Sequence, residues 1–313
     1  MRSIGIVPHL VRRQAAVLAR QLIDRFEREA MVVRIPASDA AAVDLGRWAV
    51  PDAEFGEGLD LACSLGGDGT MLRTIELVAA HDVPVLGVNV GHLGYLTAVL
   101  PEDLPDVLER AIEGRYELDE RMTLSVEIVP VEGPPSRFLA LNEAVLEKSS
   151  PGHTVRLGVS FNDVFFTNYS ADGVIVATPT GSTAYAFSAR GPIVSPRLAA
   201  IVVVPVSAHM LFDRSLVLDA RETVQVQVLD SRGATLFLDG RASGPLSEGT
   251  IVRCSIGSHP ARLVSFGRRD FHQILKAKFG LPGPEDDRRW NLPDNDEMAD
   301  DSRPEDGGES RAR

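Results

Sequence analysis

The sequence predicts two domains of different class: an α/β domain built on a parallel sheet, followed by a domain of antiparallel β-strands. Up to about residue 115, short apolar runs alternate with segments whose apolar residues recur at helical spacing. Beyond it, apolar and polar residues alternate with period two, as in half-buried strands. The chain has 313 residues, of which 44% are hydrophobic and 24% charged, so it is long enough for two cores.

The first domain begins with a strand and an amphipathic helix. Residues 4–7 are apolar, and the apolar residues between positions 15 and 26 recur at i, i+3, i+4 and i+7. Strands that alternate with helices form a parallel sheet covered on both faces, and ligands bind beyond the carboxyl ends of its strands. The further elements predicted here are strands at 31–35, 59–65 and 83–88 and helices at 70–80 and 101–114.

A glycine-rich turn, Gly66-Gly67-Asp68-Gly69-Thr70, joins the 59–65 strand to the next helix. Glycine lacks the Cβ atom that keeps backbone N–H groups away from a ligand, so this turn suits a phosphate. A carboxylate would repel a phosphate, so we predict that Asp68 accepts a proton or a hydroxyl hydrogen bond, or holds a metal. Thr70 is the expected N-cap of the helix. The alternative is an ordinary tight turn in which Asp68 caps the helix.

A second glycine-spaced stretch, 87–94, begins at the end of the 83–88 strand. We expect it to approach the glycine-rich turn. For this stretch we favour a plain loop over a direct contact with the ligand.

The β domain carries a long polar stretch at 172–185, in which a short apolar strand runs into Thr178-Pro179-Thr180-Gly181-Ser182-Thr183. This run has too many hydroxyl groups and turn formers to be core. Small hydroxyl residues with free backbone N–H groups suit the ribose and phosphates of a nucleotide, while Tyr185 and Phe187 are placed to flank a base. The alternatives are a helix cap for the run and a core position for Tyr185.

Asn142 and Glu143 stand at the head of an apolar run, 144–146. Side by side, an amide and a carboxylate can accept hydrogen bonds from vicinal ribose hydroxyls. The alternative is an ordinary strand start. Turn-forming pairs, Asp239-Gly240 among them, complete the antiparallel pattern.

The charge of the chain is unevenly distributed. The formal net charge is -12, and residues 283–313 hold eleven acidic and five basic side chains, which is half of the excess. That segment is also rich in Pro and Gly, and we predict that it is a disordered acidic tail. The rest of the chain shows no overall basic field, which argues against nucleic acid as a principal partner.

Other functional classes lack support in the sequence. No cleavable signal pattern begins the chain, and its longest apolar run, 198–206, is too short to span a bilayer, so we predict a cytoplasmic protein with no membrane partner. The motifs typical of P-loop ATPases, dinucleotide-binding dehydrogenases, zinc peptidases and serine hydrolases are absent from the sequence. The seven histidines have no metal-ligand spacing, and Cys63 and Cys254 lie in apolar runs that predict core positions. We therefore predict no dedicated metal site.

Taken together, the motifs resemble those of the NAD kinase family, and the resemblance extends from about residue 4 to residue 281. The glycine-rich turn alone is shared with phosphofructokinases and diacylglycerol kinases, whereas the long third motif is specific. Details such as Glu147-Lys148 are similar to the actinobacterial branch. The motifs, in chain order, are Gly66-Gly67-Asp68-Gly69-Thr70, Asn142-Glu143, Asp172-Gly173 with Thr178 to Tyr185, and Gly191-Pro192.

The resemblance implies a two-domain NAD kinase fold. An α/β, Rossmann-like domain is expected over 1–118, an all-β, β-sandwich-like NAD-binding domain over 119–268, and a helix over 269–282 that packs back on the first domain. The implied reaction transfers a phosphoryl group from ATP, or from polyphosphate, to the 2′-hydroxyl of the adenosine ribose of NAD, giving NADP. Mg²⁺ or another divalent cation is implied to accompany ATP, and the assembly is implied to be a homodimer or homotetramer.

The resemblance also implies roles for single residues. Asp68 would be the proton acceptor for the ribose hydroxyl, with the backbone of Gly69 close to it. Asn142 and Glu143 would hold ribose hydroxyls, and Asp172 would hold the nicotinamide end. The adenosine portion is expected on Thr183, Ala184, Tyr185, Ala186, Phe187 and Ser188.

Three further residues match positions at which members of the family contact NAD: Arg73, His153 and Arg241. The alternative for Arg73 is a solvated helix residue. The chain departs from the family at Arg190, where a glycine is usual, and the arginine is harmful if its φ is positive or useful if it supplies a charge for a phosphate. Both interpretations of Arg190 stay open.

Two other functions compete with the kinase that the family implies. One is a lipid or sugar kinase that shares the glycine-rich turn, which the 178–185 run disfavours. The other is a degenerate paralogue that binds NAD or NADP as a sensor, and the presence of Asp68 argues against it.

Overall fold

The structure is a computed structural model that describes residues 1–91, 94–97, 99–267 and 271–281. None of the helices in these ranges is long and apolar enough to cross a membrane. Short 3₁₀ helices are found at Gly46–Trp48, Asp52–Glu54, Ala79–His81 and Thr180–Thr183. The α-helices are α1 (Arg13–Arg28), α2 (Ala37–Ala40), α3 (Asp68–Val78), α4 (Leu104–Ile112), α5 (Tyr185–Ser188) and α6 (Phe271–Phe279).

The strands fall into three sheets. Those of the first half of the chain are β1 (Ser3–Pro8), β2 (Val32–Pro36), β3 (Ala49–Val50), β4 (Leu61–Gly66), β5 (Val85–Asn89), β6 (Glu117–Arg121), β7 (Leu124–Val129), β8 (Ser136–Ala140), β9 (Glu143–Lys148) and β10 (Val155–Phe161). Those of the second half are β11 (Val164–Ala171), β12 (Gly173–Ala177), β13 (Ala200–Val206), β14 (Leu216–Asp219), β15 (Val224–Val228), β16 (Ala234–Leu238), β17 (Arg241–Leu246), β18 (Ile251–Ile256) and β19 (Ala261–Ser265).

The first sheet has seven strands in the order β3-β2-β1-β4-β5-β19-β6, and all pairings are parallel except that of β19 with β6. β1 and β4 are buried along their whole length because helices cover the sheet. The register aligns Pro8 with Leu65 and Gly66 with Asn89. The carboxyl ends of three neighbouring strands therefore meet at one edge, where the glycine-rich turn leaves β4.

Helix α1 shows why the helical spacing is a reliable signal in this domain. Its buried residues lie on one face and pack against the sheet: Ala15, Ala19, Leu22, Ile23 and Phe26. The predicted helix at 70–80 begins two residues earlier, at Asp68, and the one at 101–114 is shorter, at Leu104–Ile112. The predicted order of strands and helices is confirmed, with shifts at their ends.

The other two sheets are antiparallel and have six strands each, in the orders β11-β10-β15-β18-β7-β8 and β14-β13-β12-β9-β16-β17. Side chains from both sheets share one apolar core, as in a sandwich. The outer face of β12 and β13 is covered by Ala186 and Val194, which explains why β12 is buried on both faces. The predicted combination of an α/β domain and a β-sandwich-like domain is confirmed, and Cys63 and Cys254 are buried free thiols as expected.

Strand β19 returns to the first sheet from the end of the β domain. Leu263 pairs with Val85 of β5, and the strand runs antiparallel to β6. The sheet that carries the glycine-rich turn is thus completed by residues beyond 118. A helix is present near the predicted position, as α6, while its packing and the domain boundaries stay predictions. The acidic segment 283–313 lies outside the described residues.

Candidate active site

The glycine-rich turn is tighter than a loop, because β4 ends at Gly66 and α3 begins at Asp68. A Cβ atom on Gly66 would lie 2.1 Å from Thr70 Oγ1, so close packing requires this glycine. At Gly67 and Gly69, a Cβ would meet no described atom within 4 Å, which leaves their backbone open to a ligand. Gly67 is the N-cap and Thr70 lies inside the first turn, so the prediction of Thr70 as N-cap was wrong.

Asp68 faces the second glycine-spaced stretch. Its Oδ2 accepts the backbone N–H of Tyr95 at 2.8 Å, and its Oδ1 accepts that of Leu96 at 3.0 Å. Gly94 allows this approach, since a Cβ there would lie 2.1 Å from Asp68 Oδ1. The expected approach of the two glycine stretches is confirmed. The carboxylate is therefore not a helix cap, and each of its oxygens keeps a lone pair for a further donor.

Arg73 lies one turn further along α3 and is mostly buried, with 19% of its side chain exposed. It pairs with Asp52, with Glu76 at 3.3 Å and more loosely with Asp39 at 4.0 Å. Burial raises the pKa of the Asp39 carboxyl, and the charge of Arg73 opposes that rise. Arg73 is thus held by three carboxylates, and the alternative of a solvated helix residue was wrong.

Arg241 reaches the same group of charges from β17. Its guanidinium donates to Glu76 Oε2 at 2.7 Å. Glu76, Arg241 and Asp239 line a cavity of about 370 Å³, with Leu72 among its apolar neighbours. Arg73 and Arg241 therefore both pair with Glu76. They are two of the three residues that the resemblance suggests for NAD contact. The third, His153, is exposed on the turn after β9.

Asn142 and Glu143 are fixed by a residue that the sequence showed only as part of a turn. The Asp239 carboxylate accepts the backbone N–H groups of Leu141 at 2.8 Å, Asn142 at 2.7 Å and Glu143 at 3.1 Å. Leu141 packs in the same core cluster as Leu96, whose N–H holds Asp68. The segment with the amide and the carboxylate thus shares an apolar core with α3, the helix that follows the glycine-rich turn.

Glu143 is a buried carboxyl group, with 4% of the residue exposed. Its Oε2 has no hydrogen-bond partner among the described residues. Burial and then the charge of Asp239 raise the pKa of Glu143 to about 8, although the backbone N–H of Tyr185 lowers it. Glu143 is therefore largely protonated at neutral pH, and a protonated carboxyl can donate a hydrogen bond as well as accept one.

The hydroxyl-rich run is built into the protein interior. Thr178 Oγ1 donates to the Leu141 carbonyl at 2.5 Å and accepts the N–H of Gly181 at 3.1 Å. Ser182 Oγ accepts the N–H of Val194 at 3.0 Å and donates to the Pro179 carbonyl at 2.7 Å. Both residues are fully buried. The expectation that this run is too polar for the core was wrong, because its hydroxyls bond to its own turn and to neighbouring backbone.

The residues that follow the run differ in exposure. Tyr185 and Phe187 are 36% and 38% exposed, so the core alternative for Tyr185 was wrong. Ala186 between them is fully buried and packs on β12 and β13. Thr183 donates to the Thr180 carbonyl at 3.3 Å, Ala184 links the two short helices, and Ser188 is exposed at the end of α5.

Asp172 lies next to this surface at the start of β12. Its carboxylate pairs with Lys148 Nζ at 2.5 Å. Burial raises the pKa of the Tyr185 phenol, and the charges of Glu147 and Asp172 add to the rise. Within the part of the chain that the structure describes, no three His, Cys, Asp or Glu side chains are grouped to hold a metal.

Arg190 follows α5 with φ of 65°, in the left-handed region. Its N–H donates to the Phe187 carbonyl at 2.9 Å and that of Gly191 to the Ala186 carbonyl at 2.8 Å. This is the Schellman arrangement, in which glycine is usual at the position of Arg190. The departure from the family pattern thus falls on a residue with positive φ.

Models of one protein family match both parts of the chain. A family model described as the ATP-NAD kinase N-terminal domain matches residues 4–116, and one described as the ATP-NAD kinase C-terminal domain matches residues 141–266. An NAD kinase of Symbiobacterium thermophilum is 39% identical over 281 residues, covering 89% of this chain and 99% of the relative. One of Heliobacterium modesticaldum is 38% identical over 282 residues, covering 89% and 98%.

A solved structure supports the fold independently. Yeast NADH kinase complexed with NADH superimposes with a TM-score of 0.82 at 23% identity, covering 90% of this chain and 89% of that one. At this identity the likeness speaks for the fold alone. Since two family models and close relatives together span both domains, the chain belongs to the NAD kinase family.

Proposed function

We propose that this NAD kinase transfers the γ-phosphoryl group of ATP to the 2′-hydroxyl of the adenosine ribose of NAD, with Asp68 as the proton acceptor. The ribose oxygen forms a bond to phosphorus, the bond between phosphorus and the bridging oxygen of ADP breaks, and the hydroxyl proton passes to Asp68. One observation carries the proposal. The Asp68 carboxylate is held by two backbone N–H groups beside a glycine backbone that is open at Gly67 and Gly69.

The N–H contacts fix the direction of the carboxylate, which is what a general base requires. Because α3 begins at Asp68, the open backbone lies at a helix N-terminus that favours phosphate oxygens. Mg²⁺ is proposed to arrive with ATP as part of the substrate, held by phosphate oxygens, since the described residues offer no metal cage. Its chemistry would be the neutralisation of phosphate charge.

NAD is proposed to bind along the β domain. Asn142 and Glu143 would take ribose hydroxyls, the exposed rings of Tyr185 and Phe187 would flank adenine, and Asp172 would face the nicotinamide end. Gly69, Arg73, His153, Arg241 and the other members of 183–188 complete the proposed contacts. A homodimer or homotetramer and a cytoplasmic location are further proposals, and light scattering of the purified protein tests the first.

The first experiment measures NADP formation from NAD, Mg²⁺ and ATP with purified protein, read by an NADP-specific dehydrogenase. Replacing ATP with polyphosphate decides the donor range. Asp68→Asn is expected to lower kcat by roughly 10²- to 10⁴-fold, the range of general-base catalysis, while NAD binding is retained. Asp106→Asn is the matched control, because Asp106 is an exposed aspartate in the first turn of α4.

Unchanged turnover in Asp68→Asn would remove Asp68 from the mechanism. Binding of NAD by wild-type protein without any NADP formation, with either donor, would instead favour the sensor. The family assignment already disfavours the lipid or sugar kinase, because the relatives that match both domains are NAD kinases.

A further inference from the structure

Asp239 occupies a hairpin turn with an unusual environment. It lies between β16 and β17 with φ of 48°, and Gly240 follows with φ of 78°. Two successive positive φ angles are typical of the type I′ turn, which normally projects into solvent. Here the turn is docked on the start of β9, and the Asp239 carboxylate contacts protein backbone.

The contacts of Asp239 converge on one short segment. Three consecutive backbone N–H groups, those of residues 141, 142 and 143, donate to its two carboxylate oxygens at 2.7 to 3.1 Å. Its own N–H donates to the Glu143 carbonyl at 3.0 Å. Hydrogen bonds to an ionised acceptor are stronger than neutral ones, so this carboxylate fixes the backbone from which the Asn142 and Glu143 side chains project.

We propose that Asp239 is a positioning residue for NAD binding, which orients Asn142 and Glu143 through their backbone N–H groups and places a negative charge beside the Glu143 carboxyl. The inference rests on the proposed function, in which those two side chains hold ribose hydroxyls. In this proposal Asp239 acts on NAD through Asn142 and Glu143.

The groups that act on the Asp239 and Glu143 carboxyls come from three elements. Asp239 on the hairpin raises the pKa of Glu143, after burial, and the Tyr185 N–H of α5 opposes the rise. Burial also raises the pKa of Asp239, its three N–H donors lower it, and Glu76 of α3 adds to the rise. Glu76 is in turn paired with Arg241. The three N–H donors require acceptor oxygens on Asp239, whereas Glu143 Oε2 has no partner among the described residues, so the geometry places a shared proton on Glu143.

This arrangement predicts how pH acts. The pKa of Glu143 is raised from 4.5 to about 8, so the folded protein binds the proton more tightly than the unfolded chain. The stability contributed by the protonated carboxyl is present at acidic pH and is lost as pH rises towards 8. NAD affinity is expected to change over the upper part of the same range, because the ionised Glu143 can only accept hydrogen bonds.

The test measures NAD binding to the full chain by calorimetry, without ATP, from pH 6 to 9. Asp239→Asn keeps the size and tolerates positive φ, but it loses the charge and one acceptor. We expect its Kd for NAD at pH 7 to rise by about tenfold, the value of one lost charge-assisted hydrogen bond, and the midpoint of the pH dependence to move to lower pH. The KM for ATP should not change.

Asp163→Asn is the matched control, because Asp163 is an exposed aspartate with φ of 64° in the hairpin between β10 and β11. It is expected to leave both the Kd for NAD and its pH dependence unchanged. Glu143→Gln is a second variant, which mimics the protonated carboxyl and is expected to make NAD affinity nearly independent of pH over this range.

Two results would overturn the inference. One is wild-type NAD affinity in Asp239→Asn at every pH. The other is a rise in Kd for NAD and KM for ATP together, with a lower Tm and an unmoved pH midpoint, which is the signature of a purely structural residue. Since the readout is NAD binding without turnover, a chain that binds NAD but forms no NADP would refute the reaction and still test Asp239.

Discussion

Two polar, glycine-containing runs lie at strand-to-helix junctions in this molecule, and they use their side chains in opposite ways. In the turn at 66–70, the backbone of Gly67 and Gly69 is open and the Asp68 carboxylate is held at the edge of the sheet. In the run at 178–183, the hydroxyls of Thr178 and Ser182 are buried and bond to the protein itself.

The difference shows that a polar motif can support a site through buried side chains that do not face the ligand. In the proposed site the first run would offer its own atoms to a ligand, whereas the second builds the scaffold that presents Tyr185 and Phe187 to solvent. A buried hydroxyl satisfies backbone groups that a tight turn leaves without partners. Polarity in sequence therefore does not by itself tell which residues face a substrate.

The comparison is tested most severely at Gly94, which touches the Asp68 carboxylate. In Gly94→Ala the new Cβ would lie 2.1 Å from Asp68 Oδ1, so the carboxylate must move. A displacement of this size is expected to lower kcat by about 10²-fold, because a proton acceptor works only in place. Steady-state kinetics with NAD and ATP provide the measurement.

Gly46→Ala is the control for that variant, since a Cβ at Gly46 meets no described atom within 4 Å. Wild-type kcat in Gly94→Ala would show that the second glycine stretch does not govern the position of Asp68.

A smaller effect, of a different kind, is expected at Ser182. Ser182→Ala leaves the buried N–H of Val194 without its acceptor, which costs about 1–3 kcal/mol of stability. Denaturant unfolding measures this loss, and KM for NAD should change by less than about twofold because the hydroxyl faces the interior.

Ser149→Ala is the matched control, as the Ser149 hydroxyl bonds to Thr235 at an exposed position. Should Ser182→Ala raise the KM for NAD while stability stays at the wild-type value, the contrast between the two runs would be broken.

The smallest effect is expected at Arg190, where the second run ends. Arg190→Gly relieves a positive φ of 65° and is expected to stabilise the fold by up to about 1 kcal/mol, measured as the free energy of unfolding. Arg190→Ala keeps the backbone strain and removes the charge. A fall in ATP or NAD affinity shared by both variants would assign the arginine a binding role instead.

Local patterns of apolar residues in the sequence predicted much of the fold, for physical reasons. β4 and β5 are mostly apolar because both faces of a parallel sheet are covered. α1 has helical spacing because one face packs on that sheet. The sequence also predicted the position of Asp68, because a glycine turn after a buried parallel strand lies at the carboxyl edge of the sheet.

The parts that escaped prediction depend on distant contacts. Asp239 looked like any Asp-Gly hairpin, yet its N–H donors lie 96 to 98 residues earlier in the chain. The buried state of Thr178 and Ser182 was hidden for the same reason, because the Leu141 and Val194 backbone that contacts them is remote or irregular. The spacing of apolar residues predicts what an element packs against only when that packing repeats along the element, as it does on a sheet.

The return of β19 to the first sheet has a consequence for biosynthesis. β1 to β6 leave the ribosome long before residue 261, so β5 and β6 have no strand between them while the β domain is being made. Unpaired strand edges invite association with other chains. Synthesis that stops before β19 would thus yield a nascent chain prone to aggregate, and the sheet bearing the glycine-rich turn matures only after the β domain has been translated.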